Sequence, residues 1–192
     1  MKKLLITGFD PFGGEKINPS WEAVKGLSDI IGEYELCKLE IPTVFGLAAQ
    51  KVLEKAAEIH PDVILCIGQA GGRNAVTPER IGINMRDARI ADNAGNQPLE
   101  ARILADGADG IFSTVPVADM VRAIQAAGLP ANVSNTAGTF VCNDTLYTLL
   151  HHFAGTSVRA GFIHVPYLPE QGEPALPLEQ ITQALTAAVS AL

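Results

Sequence analysis

Apolar positions along this chain fall into short runs separated by longer segments of helical period. Lys3 to Phe9 reads as a first strand. It is followed by the turn Asp10-Pro11-Phe12-Gly13-Gly14, then Asn18-Pro19-Ser20, which introduces a helix over Trp21 to Ile31. From Tyr34 to Pro42 apolar Cys37, Leu39 and Ile41 alternate with polar Lys38 and Glu40, the period of a strand. Leu47 to His60 is an amphipathic helix stopped by Pro61, and Val63 to Ile67 is a continuous apolar run, as a central strand covered on both faces requires. The pattern resumes with a helix near Val117 to Ala127, a strand around Asn132 to Ser134 and a helix over Val141 to Phe153. A strand at Ala160 to Val165 and a last helix from Leu178 complete it. Strands that alternate with helices predict an α/β domain around a largely parallel sheet. With no linker, repeat or low-complexity tract, residues 1–192 read as a single domain.

Between Gly68 and Pro98 the rhythm breaks. This stretch is polar, rich in Gly and Asn, and holds Arg73, Glu79, Arg80, Arg86, Asp87 and Arg89. Such a length between regular elements points to a functional loop or a small hairpin, and the alternation of Ile81, Ile83 and Met85 predicts a strand within it.

Composition narrows the classes. The 14 Lys and Arg against 21 Asp and Glu give a net charge of −7, and no basic block is present, so the footprint of a nucleic-acid binder is missing. Charged residues are 18%, against roughly 25% in ordinary soluble domains, which implies much buried surface, in a thick core or a subunit interface. No apolar run approaches the ~20 residues of a membrane span. Lys2-Lys3 followed by Leu4, Leu5 and Ile6 imitates a signal peptide only until Gly8 and Asp10, so a cytoplasmic protein is expected. Cys37, Cys66 and Cys142 form no Cys-x-x-Cys pair and are odd in number, which supports neither a disulfide framework nor a zinc site.

Ligands of open α/β sheets bind beyond the carboxyl ends of the strands. Four segments fall there: Asp10 to Asn18, Gly68 to Arg89, Thr136 to Cys142 and His164 to Pro169. The first has glycines, but it fails both the phosphate-loop and the dinucleotide spacing, and a tight turn with two exposed aromatics, Phe9 and Phe12, is the reading left. Cys66 and Cys37 sit in apolar strand patterns as small hydrophobes. Cys142 instead lies at a helix start, where unpaired amides and the helix dipole favour a thiolate; a packed structural cysteine is the competing reading. His164, in an otherwise apolar strand, is either a core histidine with satisfied nitrogens or a general base. Glu79 is either a surface acid paired with a neighbouring Arg or the group that orients an imidazole. Together they supply a nucleophile, a base and an orienter. No histidine cluster suggests a metal.

At these residues the sequence resembles the pyroglutamyl peptidase I family of cysteine peptidases, the pyrrolidone-carboxylate peptidases. The matching blocks are ITGFDPFGGEKINPSWEAV (6–24), GQAGGRNAVTPERIGIN (68–84), DARIADNAGNQP (87–98), SNTAGTFVCN (134–143) and GFIHVPYLPEQ (161–171). The resemblance implies a three-layer α/β/α sandwich and removal of an N-terminal pyroglutamyl residue from peptides. It puts the catalytic residues at Glu79, Cys142 and His164 and the oxyanion donors at Arg89 and the Cys142 amide. Phe9, Phe12, Asn18 and Gln69 would line the substrate pocket. It further implies no metal or organic cofactor, a cytoplasmic location and a homo-oligomer, often a tetramer. Gly82, Ala91 and Asp144 depart from the family pattern, where Ala, Pro and His are usual, while the three catalytic residue types are intact. Two rivals stand beside this reading: a broader amidase or thioesterase with the same triad, and a non-catalytic binding module.

Overall fold

A computed structural model describes all 192 residues. Strands β1 (Lys2–Phe9), β3 (Tyr34–Ile41), β4 (Val63–Gln69) and β8 (Arg159–Val165) run parallel, in the spatial order β3-β1-β4-β8. Two short antiparallel pieces extend the edges, β2 (Ile30–Ile31) beside β3 and β5 (Thr77–Pro78) beside β8. The six-stranded sheet is therefore largely parallel, as the alternation of elements predicts. A separate two-stranded ribbon pairs β6 (Ile81–Ile83) with β7 (Gly110–Phe112).

Successive residues of the central strands face opposite layers, which divides the core in two. Leu4, Ile6, Leu65, Ile67, Ile163 and Val165 pack against α1 (Pro19–Gly26), α3 (Val117–Ala126) and α5 (Leu178–Ser190). Leu5, Ile64, Cys66, Ala160 and Phe162 pack against α2 (Leu47–Ile59) and α4 (Val141–His152). Three layers result. The continuous apolar run of β4 is the consequence of having helices on both faces.

Local chemistry accounts for the element ends. Asn18 caps α1 by accepting the Ser20 amide, and Pro19 fills the first turn. This helix is shorter than the sequence pattern predicts: it stops at Gly26, and Ile30–Ile31 turn into an edge strand that pairs with Tyr34 and Glu35. Backbone pairing there outweighs the helical period of the side chains. At the end of α2, His60 takes a left-handed conformation (φ 52°) before Pro61. Asn132–Ser134, expected as a strand, lies parallel to residues 76–80: Ala131 and Ser134 bridge Val76 and Glu79, and the Asn132 and Ser134 amides bond the Val76 and Pro78 carbonyls. Its partner β5 is only two residues long, so the ladder stays too short for a regular strand. Met85 falls outside β6, which ends at Ile83.

Candidate active site

The carboxyl ends of β1, β4 and β8, together with the start of α4, enclose a cleft of about 320 Å3. Phe9, Phe12, Asn18, Gln69, Arg89, Cys142 and His164 all line it. So do Arg73, Thr136 and Phe140, to which the sequence reading assigns no role.

Cys142 occupies the first turn of α4 and opens partly onto the cleft. No side chain caps this helix at Phe140, so its first amides are not consumed by a cap. The sulfur lies over Gly68 of β4, where an added Cβ would come within 2.8 Å of it. Gly68 is thus the residue that lets the α4 terminus descend onto the strand end. Its register partner on β8 is His164. Cys142 and His164 therefore converge on one point of the sheet, although the two residues come from different layers.

Glu79 arrives from the other side. Thr77 of β5 pairs with His164, and the Glu79 amide bonds the Phe162 carbonyl at 2.9 Å. This antiparallel register sets residues 79 and 164 diagonally on one face. Nδ1 of His164 lies 2.7 Å from Oε1 of Glu79, with both side chains buried. That contact orients the ring and leaves Nε2 for the cleft. The imidazole also packs on Phe162, ring centres 4.8 Å apart.

Burial dominates the electrostatics. It lowers the His164 pKa below the ordinary 6.5, an effect that Glu79 opposes only in part, so burial favours the neutral ring. Burial pushes the Cys142 thiol well above its ordinary range, with the Glu79 charge adding to this and Arg73 working against it. The sequence reading expects the helix start to favour a thiolate; burial pushes the other way, toward neutral thiol and neutral imidazole. For Glu79, burial alone would raise the carboxyl, but the His164 bond and the nearby Arg73 charge hold it below the usual range.

The remaining predicted residues differ in what they have free. Phe9 is buried, 2% exposed, and packs on Phe162 with ring centres 6.2 Å apart, so it is a cleft floor and not the exposed aromatic expected. Phe12 stands above it, 6.0 Å from the Phe140 ring, which Phe45 braces edge-on at 5.2 Å. Asn18 is largely committed: Oδ1 accepts from the amide and hydroxyl of Ser20, and Nδ2 donates to the Asp10 carbonyl. Oε1 of Gln69 accepts from Gln171 at 3.0 Å, which leaves the Gln69 amide protons for the cleft. Arg89 is exposed at the rim and makes no hydrogen bond or ion pair within the chain.

Two residues after the cysteine hold its helix. Asn143 bonds Ile83 through both amide atoms and also the Met85 carbonyl. Asp144 takes the Arg86 guanidinium on Oδ1 (2.7 and 2.6 Å) and the Gly46 amide on Oδ2 (2.7 Å). Sequence reading missed this clamp. Its only signal was the presence of polar residues immediately after Cys142 in an otherwise buried helix. Gly82 lies under the same helix, 3.0 Å from the Tyr147 amide when a Cβ is added, so the departure from Ala removes a tight contact.

No cluster of His, Cys, Asp or Glu has the arrangement to hold a metal ion, and no helix is long and apolar enough to cross a membrane. An α/β/α sandwich with a partly open cysteine at a helix start and a carboxylate-bound histidine on the neighbouring strand end is the design of a thiol hydrolase. Comparison with known proteins specifies it. The model of the pyroglutamyl peptidase family matches residues 2–192, and the chain belongs to that family. It is 53% identical to a pyrrolidone-carboxylate peptidase of Staphylococcus haemolyticus, over 99% of this chain and 93% of that protein. It superposes on the crystal structure of pyroglutamyl peptidase I from Bacillus amyloliquefaciens with a TM-score of 0.96 at 45% identity, covering 100% of this chain and 96% of that one. The pyrrolidone carboxyl peptidase of Thermococcus litoralis gives 0.95 at 35% identity, covering 100% and 93%.

Proposed function

We infer that this protein is a cysteine exopeptidase that removes an N-terminal pyroglutamyl residue from peptides, with Cys142 as nucleophile, His164 as general base and acid, and Glu79 as orienter. The observation that carries this is the convergence of the three: the sulfur over Gly68, its register partner His164, and Glu79 at 2.7 Å from that imidazole.

With burial favouring the neutral thiol and the neutral imidazole, the proton moves during attack. Nε2 of His164 accepts the Cys142 proton as sulfur bonds to the carbonyl carbon, and Glu79 stabilises the imidazolium. The carbonyl electron pair shifts to oxygen, where the Cys142 N–H and the Arg89 guanidinium, otherwise unpaired, receive the charge. Collapse breaks the C–N bond, and His164 returns its proton to the leaving amine. Water, deprotonated by His164, then cleaves the thioester.

Selectivity follows from desolvation. A lactam carries no ammonium group, so it fits between Phe9, Phe12 and Phe140, with the free amide of Gln69 as a donor to its carbonyl. A charged N-terminus would lose its hydration there without a partner. The peptide beyond the scissile bond extends into a second groove of about 390 Å3, which shares Phe12, Arg89 and Phe140 with the first and continues past Asp87 and Ile90. Cleavage of pyroglutamyl, prolyl and glutamyl amides that release a chromophore tests the reading. Turnover of the pyroglutamyl amide alone, lost in Cys142→Ala, is expected. Turnover of all three would leave a general amidase, and folded protein with no turnover would leave a binding module.

The chain acts in this reading as one catalytic domain over residues 1–192, without metal or organic cofactor. The three free cysteines suit a reducing, cytoplasmic compartment. The low charge content supports a homo-oligomer, and the family resemblance favours a tetramer.

A further inference from the structure

The oxygen of Glu79 that holds His164 holds a second group. Nη1 of Arg73 lies 2.7 Å from Oε1 of Glu79 and also bonds the Thr77 hydroxyl, while Nη2 donates to the Thr136 carbonyl at 3.0 Å. The other carboxylate oxygen, Oε2, is buried without a partner. One guanidinium thus joins the loop after β4, the end of β5 and the turn that leads into Cys142.

We propose that Arg73 is a positioning residue for this triad: it balances the Glu79 charge so that the Cys142 proton transfers to His164 within a cluster of zero net charge. The proposal rests on the peptidase reading above for its kinetic consequences, though not for its chemical ones.

The charge inventory is short. Glu79 and Arg73 are the charged groups that face His164, and Glu79, Arg73 and the thiol of Cys66 face Cys142. Arg89 lines the outer cleft. At rest the cluster holds one carboxylate and one guanidinium. After proton transfer it holds thiolate, imidazolium, carboxylate and guanidinium, again zero. Without Arg73 both states carry a net negative charge, and the new thiolate forms near a buried carboxylate that only the imidazolium offsets. Such uncompensated buried charge is strongly disfavoured. Arg73 also competes with His164 for Oε1, so the imidazolium is not bound too tightly to give its proton to the leaving amine. In direction, Arg73 opposes the rise of the thiol pKa and lowers that of His164.

The test compares wild type with Arg73→Gln and Arg73→Lys. Two quantities are read: the rate of Cys142 alkylation by iodoacetamide, followed by mass of the Cys142 peptide, and the pH profile of pyroglutamyl-amide turnover. In Arg73→Gln, alkylation at neutral pH and kcat are expected to fall about ten- to a hundredfold, the scale of one lost charge-assisted hydrogen bond. KM stays within about threefold, and both limbs of the profile move to higher pH. Arg73→Lys keeps the charge, so it restores the position of the limbs and most of the alkylation rate. Wild-type alkylation and unshifted limbs in Arg73→Gln, with only a lower Tm, would overturn the proposal and leave Arg73 as a brace for the Thr136 turn. Where Arg73→Gln does not fold, an Arg73→Lys variant with displaced limbs overturns it equally. If the wild type turns over no amide while alkylation still responds to residue 73, the peptidase reading fails and the charge balance stands.

Discussion

The two faces of the sheet are built differently. The layer of α1, α3 and α5 packs aliphatic side chains against Leu4, Ile6, Leu65, Ile67, Ile163 and Val165. The layer of α2 and α4 also has an apolar cluster, yet Asn143, Asp144 and Thr145 are buried in the nucleophile helix. All three are hydrogen-bonded, Thr145 to the Val141 carbonyl and the others to neighbouring elements. An apolar face stabilises without specifying a position to a fraction of an ångström, because dispersion and burial are non-directional. A face with bonded polar groups sets one orientation, at the cost that any broken bond leaves a buried group unpaired. Cys142 belongs to the second kind, where its helix cannot slide along the sheet.

Substitutions on each face separate these roles. The largest effect is expected at the reacting atom: Cys142→Ala lowers turnover by at least about 10⁴-fold, while Tm stays close to wild type. On the apolar face, Leu185→Ala, fully buried in α5, should cost about 2–5 kcal/mol of stability with kcat unchanged in the folded protein. Denaturant unfolding and assay of the same samples check both halves of that statement. Asp144→Ala breaks the bond to Gly46 and strands Arg86, whose side chain is 27% exposed, so water recovers part of the cost. A loss of about 2–3 kcal/mol is expected, and here kcat should fall as well, because α4 loses its anchor. If Leu185→Ala lowers kcat as much as Asp144→Ala does, the contrast between the faces is wrong.

Acid should act on the polar face as well. Folding lowers the His164 pKa below 6.5, so between that value and the folded one the unfolded chain binds more protons. This contribution to stability is complete above pH 6.5 and declines as the pH falls below it. Turnover declines in the same direction, since a protonated ring accepts no proton from Cys142. A titration of Tm and of kcat/KM from pH 8 downward measures both. The smallest change is expected at the surface: Lys51→Ala removes an exposed pair with Glu54 and should leave both Tm and kcat indistinguishable from wild type.

Much of this was legible in the chain before folding. The alternation of strands and helices predicts the sheet, because burial on one or two faces imposes a period that side chains must follow. The helix after Asn18-Pro19-Ser20 starts where its cap chemistry says, and its end does not, since β2 pairing intervenes. Cys142, His164 and Glu79 stand out as unusual residue types in strand-end segments. Phe140 and Arg73 did not, as nothing in their local pattern distinguishes a cleft wall from a surface residue.

The sequence by itself therefore determined the layers, the order of the elements and the set of reactive side chains, all of which depend on neighbours a few positions apart. The tertiary structure decided which of those side chains meet. Glu79 and His164 are 85 residues apart, and Arg73 and Thr136 are 63 apart. It also set the direction in which burial pushes the pair, toward neutral thiol and neutral imidazole, which the helix end alone would not give. Contacts and desolvation of this kind arise from packing between distant segments, and no local period in the chain encodes them.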